Sequence, residues 1–398
     1  MSMRNELRLP FYLKPWMVVA IALAACLTAS MCLFKVQPLI PLLMENLEIG
    51  ETKAGLLMSI FSLSGVFLAV PGAMMISRFG VYRSGSVALV CLVAGCVVGL
   101  FGVTYSIMLL SRLVEGVGMA LLAIIGVMAV ALAFPPEKRG APMGIICLYV
   151  SLGELSMLTM APGMAGMWSW RGVWWFCILV CAAAFLLWVF CFRRLETVYQ
   201  PDDDGGAPQL PLAAAFTNVK VWLLVLAYTL FITAYIGVFA FWPSYLNLKL
   251  GYELTTAGWL VSLISLINIP ASFLSGMVSD KLGSRRGVII FAMLCCAATY
   301  YFIPGATGTL LVLLLVSVGI FCITVPALTF TAATEIFTDP GLSGVSVSLA
   351  TAAQNAGLFI GPTLMGILIE SQGWEFAFQA MTPITIAGAA VMFFCKIK

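Results

Sequence analysis

The sequence has 398 residues, of which 62% are hydrophobic and 9% are charged, with a mean hydropathy of +1.08. Soluble domains carry about 25% charged residues, so this composition excludes a soluble globular protein and predicts an integral membrane protein. The apolar stretches are continuous and do not alternate, which favours a helical bundle over a barrel. The net charge of +3 includes no basic block of the kind that binds nucleic acid.

Twelve apolar runs are long enough to cross a bilayer, because a helical span needs about 20 predominantly apolar residues. Charged residues, Pro and Gly separate the runs. The basic start of the chain continues directly into the first run without a small-residue cleavage site, so no cleavable signal is predicted. The predicted spans are 16–43, 54–76, 84–104, 106–133, 141–166, 173–192, 219–246, 256–278, 287–305, 308–334, 342–369 and 375–395.

The basic residues are divided unequally between the two sets of loops. An even number of spans places both termini on one side, and the opposite loops hold only Lys53, Arg171 and Lys249. Cytoplasmic loops are enriched in Lys and Arg, so we expect a multi-pass inner-membrane protein with both termini in the cytoplasm. The fifteen basic residues on the terminal side are Arg4, Arg8, Lys14, Arg78, Arg83, Lys138, Arg139, Arg193, Arg194, Lys220, Lys281, Arg285, Arg286, Lys396 and Lys398.

The longest polar stretch, 193–218, contains three consecutive aspartates and is predicted to be a flexible cytoplasmic linker. It separates an N-terminal half, 1–192, from a C-terminal half, 219–398. The two halves match at an offset of 203 or 204 residues, and two parallel repeats of six spans are typical of transporters. The matching positions are Ala54-Gly55 with Ala257-Gly258, Ser77 with Asp280, and Trp170 with Trp374.

A charged turn bounded by glycines lies between two apolar runs of the C-terminal half. Such a turn cannot lie in hydrocarbon, so it is predicted at a membrane surface. The N-terminal half has a similar segment, in which Ser77 replaces the acid and Arg78 and Arg83 carry the charge. The residues of the C-terminal turn are Gly276, Asp280, Lys281, Gly283, Arg285 and Arg286.

This turn, the segment Arg112-Leu-Val-Glu115-Gly116-Val-Gly118 and the repeat of six spans resemble the major facilitator superfamily of secondary transporters over essentially the whole chain. The resemblance implies an all-α fold of twelve transmembrane helices, in two six-helix halves around a central cavity, with transport by alternating access. It further implies that the charged turns act in cytoplasmic gating and that the arginine of the fourth helix takes part in proton coupling.

Two details refine the resemblance. The gating role is expected for Asp280 more than for Ser77, which departs from the pattern of the family. The stretches 35–38 and 354–366 are similar to those of bacterial members that carry anions, such as the cyanate-permease-like proteins.

Four charged side chains fall in the interior of predicted spans, away from the span ends, where an unpaired charge costs about 3 kcal/mol. Lys35 is interpreted either as a contact for an anionic substrate or as a residue that reaches the outer headgroups or a structural partner. Pro38 and Pro41 are expected to break the helix just beyond Lys35.

Arg112 and Glu115 share a helix face. Either they form a structural ion pair, or Arg112 binds an anion and Glu115 takes a proton. Glu154, near the midplane, is a second candidate proton carrier, since a carboxyl group in a dry site holds its proton more tightly. Alternatively, the two carboxylates and the two bases sum to neutral and form a purely structural network.

Away from their ends, the spans of the C-terminal half carry neutral polar groups instead of charges. Tyr235, Asn268, Gln354 and Asn355 are interpreted either as the neutral wall of the substrate cavity or as interhelical hydrogen-bonding groups. Recognition of an anion and proton coupling are therefore expected mainly in the N-terminal half.

Small residues and cysteines are interpreted as structural. Gly357, Gly361 and Gly366 form a stripe that favours close helix packing. The antiporter motif expected in the fifth span of drug/proton antiporters is incomplete, because Ala161-Pro162-Gly163 comes too late. The 12 cysteines are scattered through apolar runs and the chain has no histidine, so no metal site, disulfide framework or cofactor is predicted.

The sequence therefore predicts a secondary transporter of a small organic or inorganic anion, driven by proton symport, with no enzymatic activity. Its expected partners are the small-molecule substrate, protons and the lipid bilayer, and one bundle suffices as a monomer. The alternative is an efflux transporter of drug-like or neutral metabolites in which the buried charges are structural. A sensor or an enzyme is disfavoured, because the longest polar stretch has about 26 residues and no nucleophile–base set is present.

Overall fold

A computed structural model describes residues 14–135, 138–193, 217–337 and 340–395. All regular structure in these ranges is helical. Most of the predicted linker, residues 194–216, lies outside the described residues, as do Arg4, Arg8, Arg194, Lys396 and Lys398. The helices are α1 (Pro15–Phe34), a 3-10 turn (Gln37–Leu39), α2 (Ile40–Leu47), α3 (Glu51–Leu100), α4 (Tyr105–Ala133), α5 (Gly140–Cys147), α6 (Tyr149–Phe192), α7 (Val219–Leu248), α8 (Leu254–Leu282), α9 (Arg285–Phe302), α10 (Gly308–Glu335), α11 (Pro340–Gln372) and α12 (Trp374–Phe394).

The helices provide twelve crossing segments in the part of the chain that is described. Eleven helical segments in the described residues are long and apolar enough to cross a membrane, but one of them, Gly140–Phe192, has 53 residues. A helix of that length would extend about 80 Å, more than twice the hydrocarbon thickness. It breaks at Trp168 and Ser169, where the backbone leaves the helical region, and therefore supplies two crossings. The predicted all-α membrane fold is confirmed.

The structure refines two predicted boundaries. The first predicted span, 16–43, was expected to break just beyond Lys35, and α1 does end at Phe34, with a 3-10 turn before α2. Pro38 and Pro41 cause this break, because proline lacks the N–H that continues the helical ladder. The loop expected between 76 and 84 is helical apart from Gly80, where the backbone leaves the helical region with φ 83° and ψ 169°.

The internal contacts divide the chain into two compact units. The described parts of Met1–Val36 and Phe67–Gly205 form one unit, and those of Gln37–Val66 and Gly206–Lys398 form the other. In the second unit α7 and α11 pack closely. A Cβ at Gly361 would lie 2.5 Å from the carbonyl oxygen of Thr233, and a Cβ at Gly357 would lie 2.6 Å from Ile232. The predicted role of this glycine stripe in close helix packing is confirmed.

The two units contain the same kind of turn before their last helix. Ser169 has φ 61° and ψ 171°, and Gly373 has φ 89° and ψ 171°. This region of backbone space suits only glycine, and another residue held there stores about 1–3 kcal/mol of strain. Trp170 and Trp374 follow the two turns directly, as the internal repeat predicts.

Replacing Ser169 with glycine is expected to stabilise the protein, because the relief of strain exceeds the roughly 1 kcal/mol that the added freedom of glycine costs in the unfolded chain. Thermal unfolding in detergent measures the effect as a rise in Tm. The matched reverse change, Gly373→Ser, places a side chain in the same backbone conformation and should lower Tm. An unchanged or lower Tm for Ser169→Gly would contradict the presence of strain at this turn.

Candidate functional site

A buried cluster of three charged side chains lies in the unit formed by the N-terminal helices. The Nζ of Lys35 lies 2.6 Å from Oε1 of Glu115, and Nη1 of Arg112 lies 2.5 Å from Oε2 of the same carboxylate. All three side chains are fully buried. One carboxylate therefore serves two cations, and this cluster, which we call the ion triad, has a net formal charge of +1.

The end of α1 positions the two cations. Lys35 is the C-cap residue of α1, and Arg112 of α4 donates to the carbonyl oxygens of Cys32 and Leu33 at 2.6 and 2.9 Å. The last carbonyls of a helix have no partners within the helix and carry partial negative charge, so they favour a cation there. Arg112 thus holds the end of α1 with its planar fork while it also contacts Glu115.

Residues that the sequence analysis did not select surround the ion triad. Lys35 Nζ lies 3.3 Å from the Sγ of Cys96 and 4.5 Å from the ring centroid of Trp174. The Nε1–H of Trp174 is buried and has no acceptor among the described residues. No sequence pattern identifies Cys96 or Trp174, because they belong to α3 and α6, far from Lys35 along the chain.

A glycine lets α3 and α4 come together beside the carboxylate. A Cβ at Gly95 would lie 2.5 Å from Cγ of Glu115 and 2.9 Å from its backbone N. Ser111 donates to the carbonyl oxygen of Gly95 at 2.8 Å and joins the two helices at the same level. The spacing of Gly95 and Gly99 by four residues is a sequence signal for such a close approach.

Glu154 is the fourth charged residue buried in the part of the chain that is described. It lies on α6, next to Gly153, whose Cβ would meet the Oγ of Ser30 at 2.4 Å, so α1 and α6 cross closely here. Ser30 precedes Lys35 by five residues, a rise of about 7.5 Å along a helix. The structure thus brings together Lys35, Arg112 and Glu115 and places Glu154 on the neighbouring helix.

The neutral polar candidates all lie in the second unit. With its amide oriented to satisfy both groups, Asn268 donates to the carbonyl oxygen of Gly319 at 2.9 Å and so links α8 to α10. Tyr235 stacks between two phenylalanines of α7 and is 9% exposed. Asn355 lies against Gly65, and Gln354 is half-buried on α11.

The charged turn between α8 and α9 holds a chain of ion pairs. Arg285 contacts Asp280 at 2.6 Å and Glu335, the last residue of α10, at 3.2 Å. Gly283 ends α8 with φ 63°, and Ser284 caps α9 by accepting from the N–H of Gly287. Sequence reasoning missed Glu335, because an acid at the end of a distant span carries no local signal.

The remaining residues of the two charged turns are mostly exposed. Arg286 lies 4.7 Å from the ring of Phe393, and Lys281 is exposed. Nothing would lie within 4 Å of a Cβ at Gly276, so packing does not require a glycine there. In the other turn Arg78 and Arg83 are both exposed on α3.

The sequence matches the family model described as the Major Facilitator Superfamily over residues 18–337 and 226–397. The chain belongs to the Major Facilitator Superfamily. It is therefore a multi-pass membrane transporter for a small-molecule substrate, and not an enzyme. The resemblance seen in the charged turn and in the Arg112–Gly118 segment is confirmed.

Relatives in this superfamily match most of the chain. The uncharacterized MFS-type transporter YceJ of Bacillus subtilis (strain 168) is 25% identical over 356 residues, which are 85% of either chain. The probable L-galactonate transporter of Escherichia coli (strain K12) is 25% identical over 305 residues, 70% of this chain and 66% of that protein. The crystal structure of a bacterial homolog of the human lysosomal transporter Spinster, inward-facing and occupied, aligns over 96% of both chains with a TM-score of 0.77. At 15% identity this likeness shows the fold alone.

Proposed function

We propose that this transporter carries a small carboxylate-like anion by proton symport, with Lys35 and Arg112 as the anion-binding groups and Glu115 as the proton carrier. The observation that carries the proposal is the ion triad, in which two buried cations share a single carboxylate at 2.6 and 2.5 Å. Glu115 occupies the place that the carboxylate of a substrate would take.

Competition for the same two donors couples the anion to a proton. A substrate carboxylate beside ionised Glu115 would experience a repulsion of about 4 kcal/mol at 4 Å, with the effective dielectric constant of a protein site. A proton on Glu115 removes this repulsion and frees Lys35 and Arg112 to bind the substrate. Because binding free energies are reciprocal, an anion that prefers protonated Glu115 also makes Glu115 take up a proton more readily.

The surroundings of the ion triad support a binding role in addition to a structural one. Ionisable side chains inside a membrane are rare, face the interior of the bundle, and are typical of substrate or ion pathways. Four of them, Lys35, Arg112, Glu115 and Glu154, are buried in the described part of this unit. The buried Nε1–H of Trp174, close to Lys35, is a further donor that an anion can use.

The likeness to a protein named for L-galactonate, an organic anion, supports the same substrate class. Glu154 is proposed as a second proton site. Tyr235, Asn268, Gln354 and Asn355 stay predictions as further substrate contacts, although the hydrogen bond of Asn268 to α10 favours a structural role for this residue. The chain of Asp280, Arg285 and Glu335 is proposed to open and close with the cytoplasmic gate.

The orientation and assembly follow from the same reasoning. Both termini are proposed to lie in the cytoplasm of a bacterial inner membrane, with the basic loops inside. One twelve-helix chain is proposed to work as a monomer.

A thermal-shift screen with L-galactonate, other small carboxylates and inorganic anions tests the binding role of Lys35. At one hundred times its Kd a ligand stabilises the folded state by about 2.7 kcal/mol. We expect at least one carboxylate to raise Tm in the parent protein and to have no effect on Lys35→Met. The control is Lys249→Met, which changes an exposed lysine. If Lys35→Met responds like the parent, Lys35 is structural. If instead only apolar or cationic compounds stabilise the parent, the efflux alternative replaces the proposal.

A further inference from the structure

A cluster of three cysteine thiols lies beside the ion triad, and the function proposed above does not use it. Cys32, Cys96 and Cys181 come from α1, α3 and α6, and each is at most 1% exposed. The Sγ of Cys32 lies 3.6 Å from that of Cys96 and 3.7 Å from that of Cys181, and all three sulfurs lie within 4.8 Å of one another. We call this group the thiol cluster.

The spacing of the sulfurs matches a three-coordinate centre. Bonds from sulfur ligands to a bound ion are about 2.3 Å long, so three sulfurs around one atom stand about 3.5 to 4 Å apart in a trigonal or pyramidal arrangement. The two shortest separations in the thiol cluster fall in this range before any movement. The sequence gives no sign of such a site, because the three residues are 64 and 85 positions apart along the chain.

The ligands and charges near the thiol cluster indicate which ion or element it can bind. A tetrahedral ion such as Zn²⁺ needs a fourth ligand, and the nearby carboxylate, Glu115, is held by Lys35 and Arg112. A monovalent soft cation bound by three thiolates has a charge of −2, which is expensive in a dry membrane interior. Trivalent arsenic with three thiols forms a neutral product, and it therefore fits both the geometry and the surroundings.

We propose that the thiol cluster is a binding site for trivalent arsenic, supplied as neutral arsenous acid, As(OH)3. Three S–H bonds and three As–O bonds break, three As–S bonds form, and the three protons leave with the hydroxyl groups as three molecules of water. Arsenic keeps its oxidation state, so no oxidant or reductant takes part. The product ties α1, α3 and α6 together next to Lys35, whose Nζ lies 3.3 Å from the Sγ of Cys96.

Arsenic binding is measured on the full-length reduced protein in detergent, incubated with arsenite and excess glutathione and then separated from free arsenic. Glutathione competes for arsenic with protein sites of one or two thiols. The third thiol of the cluster, linked to the other two by the fold, raises the affinity for arsenic by about a hundredfold or more. We expect about one arsenic per chain in the parent and in Cys147→Ala, which changes an exposed cysteine outside the cluster. In Cys181→Ala the affinity should fall by about a hundredfold.

Cys181→Ser and Cys96→Ser provide the same test with near-isosteric side chains, so a folding defect in one variant does not decide the outcome. The proposal is overturned if the parent retains no arsenic against glutathione, or if the cluster variants retain as much as Cys147→Ala. Neither readout depends on anion transport, so the proposed function and the thiol cluster stand or fall separately.

Discussion

Glu115→Ala is expected to destabilise the protein by about 3 to 5 kcal/mol, because it leaves Lys35 and Arg112 buried without their shared carboxylate. Lys35→Met removes one cation and leaves the Arg112–Glu115 pair, which is neutral and in contact at 2.5 Å. Since Arg112 and Glu115 still contact each other, we expect Lys35→Met to lower the free energy of unfolding by about 1 kcal/mol or less. The two variants thus differ strongly in stability although each removes one member of the same cluster.

The double variant Lys35→Met/Glu115→Ala makes this prediction specific. It leaves Arg112 as the one charged member of the ion triad, and Arg112 still donates to the carbonyl oxygens of Cys32 and Leu33. The double variant should therefore be more stable than Glu115→Ala alone. A double-mutant cycle of Tm values measured in detergent gives the coupling between the two substitutions. Equal losses for Lys35→Met and Glu115→Ala would show that the net charge of +1 does not govern the stability of the cluster.

Glu115→Gln is expected to uncouple transport from protons while anion exchange continues. The glutamine amide resembles a permanently protonated Glu115, so Lys35 and Arg112 stay available to the anion at every pH. In proteoliposomes, an imposed pH gradient should drive accumulation of the anion by the parent and not by Glu115→Gln. Exchange of external for internal anion, with equal concentrations on both sides, should persist in both proteins.

The pH dependence of anion binding follows with a definite sign. The proton on Glu115 is a second ligand of the parent, so anion affinity should fall as pH rises, by up to about tenfold per pH unit. Glu115→Gln should bind the anion with little dependence on pH. Loss of exchange in a folded Glu115→Gln protein would show that Glu115 is needed for anion transport itself, in a role other than proton carrier.

Much of the fold was predictable from the sequence because hydropathy, charge and prolines act locally. The apolar runs predicted the twelve spans, and Pro38 and Pro41 predicted the break after Lys35. The predicted spans 141–166 and 173–192 placed a turn near Ser169, but the positive φ of this residue was not predictable, because serine at φ 61° gives no sequence signal, whereas Gly373 marks the corresponding turn. In the same way Gly80 alone interrupts the helix where the sequence predicted a longer loop.

The candidate site was predictable only in part. The spacing of Arg112 and Glu115 placed them on one helix face, but the contact of Lys35 with the same carboxylate depends on how α1 and α4 pack. The contributions of Cys96, Trp174 and Glu335 also depend on packing between residues distant in the chain. Periodicity identifies which residues share a face of one helix, and it carries no information about which helix that face meets.

The central claim is that an anion replaces Glu115 at Lys35 and Arg112 as Glu115 takes up a proton. Titration calorimetry of the anion found in the thermal-shift screen, repeated in buffers with different ionisation enthalpies, measures the protons taken up for each anion bound. At a pH where Glu115 is ionised in the free protein, the account predicts about one proton per anion for the parent and none for Glu115→Gln. Binding without proton uptake by the parent at every pH, or equal uptake by Glu115→Gln, would contradict it.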